Sequence, residues 1–183
     1  MCGRRCSRRE RGFTAVELLT VVTIVTGLSA TAFVRVKNTV NELKCRGNLT
    51  QVGMDLRFYE TQNGRLPAAA FYPANPREAK DSLYMILPDS RQLLLCPSAP
   101  DEFSAKGLTF LWNDKMNNRI ADKIENASET WLMTEMNAVS DKVPAPHPGG
   151  YNILCADLHT AKAEKEVPKD LADMIKALKE TKP

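Results

Sequence analysis

The longest pattern in the chain is an apolar run over residues 13–34, closed by Arg35 and Lys37, with one acid, Glu17, inside it. As a helix its roughly 22 residues extend about 33 Å, enough to cross a hydrocarbon core of about 30 Å. The helical period continues beyond it, but the apolar stripe changes face. Val36, Val40 and Leu43 follow spacings of 4 and 3, then Cys45, Leu49, Val52, Leu56 and Tyr59 follow 4, 3, 4 and 3 in a shifted phase. The first stripe suits neighbouring helices, the second a sheet laid against the helix. Asn63-Gly64 supplies a C-cap and Pro67 forbids continuation. The pattern therefore predicts one helix of about 50 residues, about 75 Å long.

Beyond Arg65 the pattern shortens. Pro67, Pro73, Pro76, Pro88, Pro97 and Pro100 punctuate the chain, with a short helix expected over residues 77–87. Strand patterns follow at 92–96, 108–112, 130–134, 151–156 and 159–163, close in sequence and mostly without crossover helices between them. That arrangement predicts an antiparallel sheet and an α+β fold. Trp112 and Trp131 fall inside two of these strands as core residues. Pro168, then Leu171, Met174, Ile175 and Leu178, predict a short C-terminal amphipathic helix.

Charge adds an orientation. The chain of 183 residues carries a net charge of +3, but Arg4, Arg5, Arg8, Arg9 and Arg11 against Glu10 concentrate about +4 ahead of residue 13, leaving a remainder near −1. Arginines before an apolar span place the N-terminus in the cytoplasm and the rest of the chain outside. No dense basic patch with interleaved aromatics follows Lys37, so nucleic acid is not an expected partner. The rival reading is a secretory signal peptide, with Ala30-Thr31-Ala32 as an A-x-A-like cleavage site before Phe33. Against it stand the length of the apolar run, the acid inside it, and the helical pattern that continues past the cut.

An acid in a spanning segment costs about 2.5 to 3.5 kcal/mol at mid-bilayer and calls for a partner. Gly12-Phe13-Thr14-Ala15-Val16-Glu17, after a basic leader and before a spanning run, resembles the processing motif of type IV prepilins. The resemblance implies cleavage between Gly12 and Phe13 by a prepilin peptidase, N-methylation of Phe13, and Glu17 as the fifth-position acid that neutralises a neighbour's Phe13 amine during filament assembly. Burying the two charges together removes much of the cost of burying either alone. Thr20, Thr23, Gly27 and Ala30 continue the face of Glu17 with small residues, as closely packed helices require. The expected layout is a leader at 1–12, a membrane and polymerisation helix at 13–34, its amphipathic continuation at 35–64, and an extracytoplasmic head at 65–183. Such a subunit would begin as a single-pass protein of the inner membrane and end in the filament.

The head resembles the bacterial prepilin-type group with a C-terminal H-x9-DG motif. Lys44-Cys45, Asn48-Leu49, Gln51 and Gly53 match that group's Lys-Cys-x-x-Asn-Leu-x-Gln-x-Gly helix, Cys96-Pro97-Ser98 its Cys-Pro-Ser turn, and His147 and Asp157 its His and Asp. Leu158 stands where the group has Gly. An Asp-Gly step favours a tight type I′ hairpin, so the substitution predicts another turn type or a left-handed Asp157. The resemblance implies a pilin-like long N-terminal helix packed on a small antiparallel sheet, with other pilin-like subunits and an inner-membrane assembly platform as partners.

Chemistry in the head is sparse. No nucleophile elbow and no Gly-rich phosphate loop occurs, so the expectation is a structural protein, not an enzyme. Five cysteines leave Cys45, Cys96 and Cys155 beyond the leader, spaced like no metal or redox motif. In an oxidising compartment they predict one disulfide and one free thiol, Cys45–Cys96 being one pairing the sequence leaves open. His147, Asp157 and His159 are candidates for a metal site, set against structural roles for each, and the expectation is no cofactor. The resemblance admits calcium, for which Asp141 and Asp157 form no dense acidic run. The alternative function is a membrane-anchored or secreted head that binds a ligand or metal and never polymerises.

Overall fold

Thr14 starts the first helix. Its carbonyl accepts the first helical bond from the Leu18 N–H at 3.1 Å, its N–H and hydroxyl both donate to Glu17 Oε2 at 2.8 Å, and the Glu17 N–H donates to Thr14 Oγ1 at 3.3 Å. This reciprocal pattern between Thr at N-cap and Glu at N3 is a capping box. The computed structural model describes residues 14–139, 144–163 and 171–173, without the side chains of Ala30 and Thr31. The leader, Gly12 and Phe13, Asp141, Pro168, Met174, Ile175 and Leu178 lie outside the described residues, and of the expected C-terminal helix residues 171–173 are helical.

Helix α1 runs unbroken over Ala15–Asn63, 49 residues. It ends where the sequence predicts: Gly64 takes φ +75°, and its N–H donates to the Glu60 carbonyl at 2.6 Å. The chain divides into two units, one up to Lys37 and one from Asn38 onward. In the first, the apolar side chains from Val16 to Val36 are exposed. By length and composition α1 can cross a membrane, a test that an N-terminal signal sequence also passes.

In the second unit Cys45, Leu49, Val52 and Leu56 are fully buried, the shifted stripe read from the sequence. Each such aliphatic side chain contributes roughly 1.5 to 3 kcal/mol through removal from water. They pack on one face of a four-stranded antiparallel sheet, order β1 (Phe110–Trp112), β2 (Trp131–Glu135), β3 (Tyr151–Cys155), β4 (Thr160–Ala163). An irregularity in register between Trp131 and Met133 lets Leu132 and Met133 both join the helix-side core, while Trp131 packs with Leu111, Ile153, Cys155 and Leu171 on the other side. Trp112 and Trp131 are both core residues.

Two expectations require correction. Residues 92–96 form no strand: the Leu93 and Leu94 N–H groups turn back onto the Ser90 carbonyl, and the Leu94 carbonyl accepts from the Thr109 N–H. The apolar run there buries Leu94 within a turn. The helix expected over 77–87 shrinks to α2 (Leu83–Ile86), capped by Ser82, whose hydroxyl accepts from the Tyr84 N–H. The β3–β4 turn takes the first of the two expected forms: it is of another type than I′, and Asp157 is not left-handed.

In that turn the Leu158 N–H bonds the Cys155 carbonyl, the Cys155 N–H bonds the His159 carbonyl, and Leu158 itself takes φ +71°. A longer hairpin loop puts the left-handed residue where a glycine would sit without strain. Leu158 holds it because its side chain lies over Gly53 of α1, its Cδ2 only 3.4 Å from where a Cβ on that glycine would stand. Leu158→Ala removes the packing and keeps the strain, whereas Leu158→Gly removes both. The glycine variant is therefore expected to be more stable than the alanine variant by about 1 kcal/mol in denaturant unfolding. An equal or reversed order would show that the turn stores no backbone strain.

Candidate functional site

Among the described residues two constellations carry chemistry. On α1, Glu17 is exposed and satisfied locally by Thr14. The hydroxyls along the apolar segment are satisfied in the same local way: Thr20 donates to the Val16 carbonyl, Thr23 to Leu19, Thr26 to Val22 and Ser29 to Val25, each four residues back. These bonds let polar residues stand in an apolar segment without needing water. Gly27 has no atom within 4 Å of where a Cβ would stand, so this face admits a close neighbour.

The second constellation is buried in the head, where Cys45, Cys96, Glu135 and His147 meet. Their exposures are 0%, 3%, 1% and 4%, and one ligand-type atom from each lies within 4.8 Å of all the others. Cys45 comes from α1 and Glu135 from the end of β2. Cys96 sits in the turn that replaces the expected strand, and His147 begins the Pro148-Gly149-Gly150 loop into β3, its carbonyl accepting from the Gly150 N–H.

Glu135 Oε1 is the centre. Cys45 Sγ donates to it at 2.8 Å and Cys96 Sγ at 3.4 Å, His147 Nε2 lies at 2.7 Å, and Asn152 Nδ2 at 3.3 Å. Oε2 accepts the Asn152 N–H at 2.8 Å, and Cys96 Sγ lies 3.3 Å from His147 Nε2. The turn carrying Cys96 is fastened by Asn48 Nδ2 to the Leu95 carbonyl and by the Cys96 N–H to Thr109 Oγ1.

These contacts set the protonation. The hydrogen bond with Cys96, burial and the nearby Glu135 push the Cys45 thiol far above its ordinary range. That same bond lowers Cys96, burial opposes, and His147 and the Ser98 backbone lower it further, with a net downward shift. Burial alone would lower His147, but hydrogen bonds to Cys96 and Glu135 and their charge outweigh it and raise it to about 9.

The group His147, Asp157 and His159 is not brought together. Asp157 and His159 pair with each other at the exposed β3–β4 turn, while His147 is turned into the core. The contiguity of the C-terminal motif in sequence suggested one site, and the hairpin separates its ends. Cys45 and Cys96 do meet, as free thiols; Cys155 is buried on the far side of the sheet. Glu135 was missed. Its one trace in the sequence is an acid inside the apolar run 131–136, the same anomaly that singled out Glu17. No family model, curated protein or solved structure matches the chain.

Proposed function

We propose that this chain is a structural subunit of a type IV pilus-like or type II secretion pseudopilus filament, cut before Phe13 and assembled through its N-terminal helix. The observation that carries the reading is a single helix whose residues 16–36 expose apolar side chains while residues 45–56 are locked into a folded head. A water-soluble protein leaves no such surface bare. A cleaved signal peptide has no need for a helix that continues without a break through Phe33 into the core. The internally bonded hydroxyls and the small-residue face suit first a bilayer and then a bundle of like helices. Prepilin peptidase, other pilin-like subunits and an inner-membrane platform are the partners this implies, and catalysis has no part in it.

The test is the N-terminus of the mature chain, read by mass spectrometry after expression with a prepilin peptidase. Methylated Phe13 is the expected first residue, and a start at Phe33 would rule the filament out. A second reading, a membrane-anchored head that binds a metal without polymerising, is favoured by the buried Cys, Glu and His cluster. It predicts that charge at Glu17 is dispensable.

A further inference from the structure

We propose that the head binds one zinc ion through Cys45, Cys96, Glu135 and His147. Two sulfurs, an imidazole nitrogen and a carboxylate oxygen form a donor set suited to zinc and poorly suited to calcium or magnesium, which take oxygen. Zinc bond lengths of about 2.0 to 2.3 Å place tetrahedral ligand atoms about 3.3 to 3.8 Å apart. The close pairs here stand at 2.7, 2.8, 3.3 and 3.4 Å, and all lie within 4.8 Å. Shifts on the order of 1 Å make that tetrahedron.

The hydrogen-bond accounting points the same way. Glu135 Oε1 faces Cys45, Cys96, His147 and Asn152 at once, four possible donors on an oxygen with about two lone pairs. A cation at the centre replaces the protons of Cys45, Cys96 and His147 Nε2 with one set of bonds and releases them to solvent. Two thiolates and a carboxylate around Zn2+ leave a net charge of −1, far milder than three uncompensated anions.

Support around Glu135 and Cys96 is already built. Asn152 orients the Glu135 carboxylate through its N–H and side chain, and the Cys96 turn is held by the Cys96 N–H on Thr109 Oγ1 and by Asn48 Nδ2 on the Leu95 carbonyl. Four protein donors, all buried, leave no open coordination position, so the site is structural. It would tie α1, the Cys96 turn, β2 and the His147 loop at one point. The segments resembling known motifs thus acquire a common purpose: Cys45, Cys96 and His147 as ligands, Asn48 holding the Cys96 turn.

The test uses the full chain, purified reduced in detergent micelles and offered Zn2+ or Co2+. One zinc per chain is expected, with X-ray absorption reporting two sulfurs at about 2.3 Å and two lighter atoms at about 2.0 to 2.2 Å. The cobalt form should show thiolate charge-transfer bands and intense tetrahedral d–d bands, a readout that needs no variant. Cys96→Ser should abolish binding, Cys155→Ser and His159→Ala should leave it intact, and Asn152→Ala should weaken it about 10- to 100-fold. Failure of the reduced chain to take up zinc, zinc bound without sulfur, or a Cys45–Cys96 disulfide in protein recovered from the extracytoplasmic side would overturn the site.

Discussion

Glu17→Gln yields a chain that is cut, methylated and inserted in the membrane but missing from filaments, measured as the ratio of subunit in sheared filaments to subunit in membranes. Glutamine is the sharper substitution because of the capping box. Glu17 has a partner within its own chain, Thr14, and that alone would explain an acid at this position. Glutamine also serves at N3 of a capping box, so it keeps the helix start and removes only the charge. Alanine removes both and cannot separate them. Wild-type recovery of the Gln variant would mean that capping is all Glu17 does, whereas loss with an intact helix identifies the charge as the assembly contact.

Glu135→Ala lowers the stability of the metal-free head by about 3 to 5 kcal/mol, the range for removing one partner of a buried ionic group. For a protein of this size that is a fall in melting temperature on the order of 10 °C. The carboxylate is 1% exposed, and its loss strands the Cys45 thiol, His147 Nε2 and the Asn152 N–H in a dry core. Asp157→Ala is the control. Its pairing with His159 is solvent-exposed and screened, so its loss should cost less than about 1 kcal/mol. Equal effects of the two substitutions would show that the buried cluster is not an electrostatic centre.

What the sequence discloses follows from the range of each interaction. The helix and its second stripe were legible because Cys45, Leu49, Val52 and Leu56 repeat with the helical period and bury the face that the period predicts. The four strands of the sheet were legible for the same reason, their apolar runs pairing with neighbours in the chain. The run at 92–96 misled because three consecutive leucines look alike whether they line a strand or fill a turn. The capping box is written in Thr14 and Glu17, but an acid in an apolar span points to a distant partner as readily as to a local one. Leu158 marked the place where the turn departs from a type I′ hairpin. That it would take the left-handed conformation itself depended on Gly53, more than a hundred residues away, which no local rule supplies.

The buried cluster is the clearest case. Its members stand at 45, 96, 135 and 147, with spacings set by the tertiary fold and not by any loop. Cys45, Cys96 and His147 all fall in segments that resemble one group's motifs, but no local pattern joins them, and only β2 brings Glu135 between them.

Assembly through the N-terminal helix is tested most directly by zero-length carbodiimide cross-linking of filaments grown from equal amounts of isotopically light and heavy subunits. The account predicts a Phe13 amine joined to a Glu17 carboxylate in mixed light–heavy peptides, the signature of a bond between two chains. Cross-links confined to single-isotope peptides, or none at Glu17 in intact filaments, would contradict it.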